Sequence, residues 1–99
     1  ALLALKESKG MAETVSDAEI LEAQRLLAKT EGIFAEPSGV TSLAGLIKLL
    51  NSGIVEKDEV IVVEITGSGL KDPEIALRMF KEPPTIAPSL EELEKVIGI

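Results

Sequence analysis

The sequence predicts an α/β fold, a βαβ segment of a parallel-sheet domain with flanking helices, incomplete by itself. Three observations predict it. "VIVVEI", residues 60 to 65, is apolar on both faces apart from Glu64, the pattern of a parallel strand covered on both sides. Ile33 to Ala35 form a shorter apolar strand upstream. Between them Val40, Leu43, Ala44, Leu46, Ile47, Leu49 and Leu50 cover nearly the whole circumference of a helix that runs to about Asn51, and a helix apolar all round is a buried one. Strand, helix, strand in that order makes a right-handed crossover.

The flanking elements follow from local signals. "ALLAL" is interrupted at Lys6, too soon for a signal peptide or a membrane span. In "VSDAEILEAQRLLAKTEG" Ser16 and Glu19 have the spacing of a capping box. Asp17 lies at the positive end of the helix dipole, and Gly32 offers a left-handed stop. Ile20, Leu21, Leu27 and Ala28 fall on one face of this helix. Asp72-Pro73 opens a short helix over "DPEIALRMF", since Pro is at home in the first helical position. Pro83, Pro84 and Pro88 keep the next stretch extended. Ser89 and Glu92 then cap a last helix whose face is Leu90, Leu93, Val96 and Ile97.

Composition excludes several functions. With neither Cys nor His among 99 residues, thiolate and zinc sites and the Ser-His-Asp and Cys-His nucleophile systems are absent. A net charge of −7 argues against nucleic-acid and anionic-membrane partners, which need a basic face. Phe34 and Phe80 are the sole aromatics, too few for a base-stacking platform. These features together predict a cytoplasmic protein that binds no metal. A domain of this size buries roughly 60–65% of its unfolded surface. A two-faced strand and an all-round apolar helix need more cover than two amphipathic helices supply. Either the chain is part of a larger domain or buries these faces on a partner, or two copies cover each other.

Ligands of open α/β sheets sit beyond the carboxyl ends of parallel strands. Two such ends, "AEPSG" and "EITGSG", bring small hydroxyl residues and glycines to one edge. The second is no nucleotide loop: Asp72 stands where a G-x-G-x-x-G pattern needs its last Gly. Thr66 follows the strand directly. Its hydroxyl either serves local backbone groups in the turn or meets a flat ligand that the glycines admit. Glu36 and Ser38 have the local alternative of capping the buried helix. Lys71 and Asp72 are expected to be solvated charges.

"ALLALKES", "VSDAEILEAQRLLAKTEGIFAEPSG", "TSLAGLIKL", "TGSGLKDP" and the proline-rich tail together resemble the C-terminal part of the threonine synthase family. Those are pyridoxal-phosphate enzymes of the tryptophan-synthase β-like fold. The resemblance covers essentially all 99 residues, which makes residues 1–99 the C-terminal part of one catalytic domain. "TGSGLKDP" discriminates most, because related dehydratases and racemases end the same strand in a Ser-Gly-Gly-Asn-like turn. The resemblance implies that Thr66 hydrogen-bonds the pyridine nitrogen of pyridoxal 5'-phosphate. It implies that Gly67 contacts the cofactor beside it, that Gly67 and Gly69 leave room for the ring edge, and that Glu36 and Ser38 support the site from behind. A neutral hydroxyl leaves that nitrogen largely unprotonated and moderates the electron sink.

The implied reaction is O-phospho-L-homoserine plus water giving L-threonine and phosphate. The family commonly has Asn or His where Ser68 stands, and "EPSG" is closer to the dehydratase branch. None of Lys6, Lys9, Lys29, Lys48, Lys57, Lys71, Lys81 or Lys95 sits in a context like the family's Schiff-base lysine. The segment is therefore expected to hold no catalytic residue, and the isolated chain to be inactive. Its expected partner is the remainder of the same enzyme, or a second copy. The alternatives are a non-catalytic self-associating module, a threonine or serine dehydratase fragment, and a ligand-binding regulatory domain.

Overall fold

The computed structural model describes residues 1–98 and consists of five helices joined by turns and extended chain. The helices are α1 (Leu2–Ser8), α2 (Asp17–Glu31), α3 (Thr41–Asn51), α4 (Pro73–Arg78) and α5 (Leu90–Ile97). None of them is long and apolar enough to cross a membrane. The apolar opening thus becomes a short helix, which ends on Lys9 in the left-handed conformation (φ 52°).

The predicted capping box of α2 is formed. The Ser16 hydroxyl accepts from the Glu19 N–H at 3.3 Å, and Glu19 Oε2 accepts from the Ser16 N–H at 2.7 Å. Gly32 ends the helix at φ 68°, its N–H donating to Ala28 O. The buried face is rotated from the predicted one: Ala23, Gln24 and Leu27 are buried and Ala28 is exposed. Ala23 shares a core cluster with Ala44 of α3, and such short side chains let two helices approach closely. Leu27, Ala35 and Val40 complete the cluster, with Val15, Ile20, Leu43, Ile47 and Ile65 packed around it.

Helix α3 is preceded by a 3-10 turn, Ser38–Val40. It is less covered than its sequence predicts, because only Ala44 is fully buried and the leucines are half-buried. Lys48 on this helix reaches back to Glu13 Oε1 at 3.1 Å and to the Thr14 carbonyl at 2.7 Å. That pair ties the chain before α2 to α3.

The predicted βαβ unit is not formed among the described residues. Residues 60 to 65 are extended but belong to no strand, with Val60 99% and Val62 92% exposed. A strand exists only through its hydrogen-bonded neighbours, and the two apolar stretches do not run side by side. The first stretch instead meets the turn beyond the second, in one antiparallel bridge between Ala35 and Ser68. The expected parallel relation is absent there too.

In the tail, Pro73 occupies the first turn of α4 as predicted. Ser89 caps α5 by accepting from the Glu92 N–H at 3.2 Å. The reciprocal half of that capping box is replaced by an ion pair of Glu92 with Lys95 at 3.1 Å. The apolar face of α5 is open: Leu90, Leu93, Val96 and Ile97 are all exposed. Extents of 63 × 28 × 19 Å and a radius of gyration of 18.6 Å describe an elongated body. A compact domain of this length has a radius of about 13 Å. The chain does not cover its own apolar faces.

Candidate functional site

The two loops singled out by sequence, at Glu36 and at Thr66, lie against each other. Three backbone hydrogen bonds join them: Glu36 N–H to Gly67 O (3.2 Å), Thr66 N–H to Gly39 O (3.3 Å) and Gly69 N–H to Phe34 O (3.0 Å). Buried Gly39 makes the approach possible, since a Cβ there would run into the Thr66 carbonyl. Gly67 adopts φ 91°, a region that favours glycine. The space beside it is taken by the Glu36 carboxylate, and the space beside Gly69 by the Phe34 ring. On the sides of Gly67 and Gly69 where a Cβ would stand, the chain's own side chains occupy the room expected for a ligand ring.

Glu36 does not cap α3 with its side chain. Its carboxylate receives Lys71 Nζ at 2.9 Å on Oε2 and 3.0 Å on Oε1. The Lys71 hydrogen bond holds the Glu36 carboxyl below its ordinary pKa, against partial desolvation, with smaller contributions from the Lys71 charge and the Ser38 hydroxyl. Lys71, expected to be solvated, is thus paired across the two loops. Ser38 is not a side-chain cap either; it opens the 3-10 turn, and its carbonyl accepts from the Thr41 hydroxyl at 2.9 Å.

Beside the loop junction lies a shallow cleft of about 270 Å³ lined by Ser38, Gly39, Ser42, Glu64 and Thr66. Ser42 donates its hydroxyl to Glu64 O at 2.6 Å and so anchors the extended segment to α3. Thr66 is exposed on the cleft wall. Its hydroxyl takes part in no hydrogen bond among the described residues, so it does not serve the turn. Of the predicted site residues, Thr66 and Ser38 line this cleft, while Glu36, Gly67 and Gly69 form the junction behind it.

Sequence reasoning missed Ser42, Glu64, Gly39, Lys71 and Gln24. Two signals were available. Ser42 follows Ser38 by four positions at the start of a helix, which puts both on one side. Glu64 and Thr66 are two apart in extended chain and point the same way. Gln24 carried no signal, being an ordinary polar residue of α2. Buried to 1%, it donates Nε2 to the Ala35 carbonyl at 2.6 Å and holds the first loop in place.

Residues 1–67 match the family model described as "Pyridoxal-phosphate dependent enzyme". The chain belongs to that family. Its α/β class is consistent with this membership, although the described residues form no sheet. Among characterised relatives, the chain is 50% identical over 97 residues to threonine synthase of Methanocaldococcus jannaschii, a match covering 98% of this chain and 24% of that protein. Threonine synthase of Bacillus sp. strain ULM1 is 56% identical over 77 residues, or 78% of this chain and 22% of the relative. That of Methanosarcina acetivorans is 42% identical over 97 residues, again 98% and 24%. The chain spans about a quarter of the length of these relatives and matches a C-terminal segment of them.

The donor set fits one edge of the family's cofactor. A free hydroxyl on a backbone pinned by Gly39 is suited to the lone pair of a pyridine nitrogen. The other residues of the cleft lining are Ser38, Gly39, Ser42 and Glu64.

Proposed function

We propose that residues 1–99 are the C-terminal part of one pyridoxal-phosphate-dependent catalytic domain, and that the whole enzyme is a threonine synthase. It would convert O-phospho-L-homoserine and water to L-threonine and phosphate. The observation that carries this reading is the 50% identity to a threonine synthase along nearly the whole chain. The geometry supports it by leaving the Thr66 hydroxyl free at a cleft lined by Ser38, Gly39, Ser42 and Glu64.

Bound pyridoxal phosphate supplies the electron sink for β,γ-elimination and replacement on the amino acid. The chain's own contribution is orientation. The Thr66 hydroxyl would hydrogen-bond the pyridine nitrogen while keeping its own proton, and, being neutral, would leave that nitrogen largely unprotonated. Gly67, next to it, would contact the cofactor through its backbone, the space on its Cβ side being filled by Glu36. Ser38, on the same wall, and Glu36, behind it, hold the loops that carry Thr66. In this reading the carrier lysine and the phosphate loop are supplied by the remainder of the enzyme, because no lysine of this segment has the family's sequence context, and the segment alone is inactive. The exposed faces of residues 60 to 62 and of α5 are where that remainder packs. The enzyme works in the cytoplasm, as expected of an amino-acid biosynthetic step.

Thr66→Val in the complete enzyme tests the assignment. Loss of one hydrogen bond is expected to shift the cofactor's absorbance and lower turnover by roughly tenfold, with the melting temperature unchanged. A wild-type spectrum and rate would remove Thr66 from the site.

A further inference from the structure

We propose that the ion pair of Glu36 with Lys71 is a positioning latch that locks the two loops together and thereby aims Thr66. The inference rests on the cofactor role of Thr66 proposed above. Neither residue touches the cleft; both act through the backbone that carries Thr66.

The pair spans 35 positions of sequence and sits behind the residue to be positioned. Lys71 ends the 3-10 turn Gly69–Lys71, and Glu36 opens the loop to α3. Between them lies the Gly67 peptide. Glu36 approaches it twice: its N–H donates to Gly67 O at 3.2 Å, and its carboxylate occupies the space where a Cβ of residue 67 would be. Lys71 Nζ then closes on both carboxylate oxygens, at 2.9 and 3.0 Å. The carboxylate is consequently trapped between a glycine and an ammonium, and the Thr66–Gly67 peptide cannot move without displacing it.

The exposure of the two partners assigns them different parts. The Glu36 side chain is 17% exposed and the Lys71 side chain 65%. Glu36 is thus a packed element of the junction. Lys71 approaches from the solvent side and can be changed without opening a cavity. A surface pair of this kind has a small effect on overall stability. Its consequence is local: three inter-loop hydrogen bonds share the geometry it sets, and one of them is made by the Thr66 N–H itself. A site residue displaced by a fraction of an ångström loses much of its effect.

The test uses the complete enzyme in three variants, Lys71→Met, Lys71→Arg and Thr66→Val, with two readouts. Amide hydrogen exchange at Glu36, Thr66 and Gly69 reports the junction and is measured without cofactor. The absorbance band after loading with pyridoxal phosphate reports the cofactor contact. Lys71→Met is expected to speed exchange at the three amides by roughly two- to fivefold and to shift the band in the same direction as Thr66→Val. Lys71→Arg is expected to restore both. Unchanged exchange in Lys71→Met would overturn the latch whatever the spectrum does. Faster exchange with an unshifted band, where Thr66→Val does shift it, would overturn the claim that the latch aims Thr66. A silent Thr66→Val with faster exchange in Lys71→Met would instead sink the cofactor role of Thr66 and support the latch as a junction device.

Discussion

Gly39 is the position where a single added methyl group should do most damage. It is fully buried, and a Cβ built on it would collide with the Thr66 carbonyl, a backbone group that no rotamer change can clear. Two costs add when Gly39 becomes Ala. Overpacking of a tight site costs about 1–3 kcal/mol. Pushing the loops apart also strains the hydrogen bond from Thr66 N–H to Gly39 O, presently 3.3 Å, which is worth about 1 kcal/mol. The sum, about 2–4 kcal/mol, corresponds to a fall of roughly 10 °C or more in melting temperature for a chain of this length. Thermal unfolding followed by circular dichroism measures it, with amide exchange at Thr66 as the local readout. Gly39→Ala with an unchanged melting temperature and unchanged Thr66 protection would refute the close approach of these two loops, and the geometry of the cleft with it.

Other perturbations have different signs. Gly45, in the middle of α3, has no atom near where a Cβ would stand, so Gly45→Ala should stabilise the chain by about 0.5–1 kcal/mol through helix propensity. If Gly45→Ala raises stability in the isolated chain but lowers it in the complete enzyme, another part of that enzyme packs on α3. Gln24→Leu deprives the buried Ala35 carbonyl of its donor but also removes the buried, unpartnered Gln24 Oε1, so the net cost in denaturant unfolding should be about 1 kcal/mol; a gain in stability would refute the Gln24–Ala35 hydrogen bond as a net stabiliser. Glu36, Glu13 and Glu19 are all held below the ordinary carboxyl value of 4.5, by Lys71, by the Thr14 N–H and by the Ser16 N–H respectively. Lowered folded-state values mean that their contributions are complete above the ordinary value and are lost as pH falls through the lowered ones. Stability should therefore be flat near neutrality and drop on acidification below about pH 4.5, with Glu36 titrating later than an exposed carboxylate when followed by carboxyl-carbon NMR.

Local chemistry was read directly from sequence wherever it needed no distant partner. The capping box of α2, the stop at Gly32, Pro73 in the first turn of α4 and the Ser89 cap all depend on residues within four positions of one another. Sequence periodicity also located α3. It misjudged how deeply α3 is buried and which face α2 turns inward, because both depend on neighbours that periodicity does not name. The two strands illustrate the same limit. Their apolar pattern is a demand for cover and for hydrogen-bonded neighbours, which the described residues meet at Ala35 and Ile65 but not along residues 60 to 62.

For the site, sequence alone determined that Thr66 ends a stiff apolar segment in a glycine turn, that Glu36 and Ser38 begin another loop, and that both resemble the cofactor edge of one enzyme family. A short motif encodes those facts in adjacent residues. Tertiary structure alone decided what the glycines are for and where the charges go. Gly67 and Gly69 admit Glu36 and Phe34, and Gly39 admits the Thr66 carbonyl. Lys71, a solvated charge by every local signal, closes on Glu36 from 35 positions away. Contacts between residues so far apart depend on how the intervening helix returns the chain, and that path is set by the packing of α2 on α3 rather than by any stretch of sequence at the site.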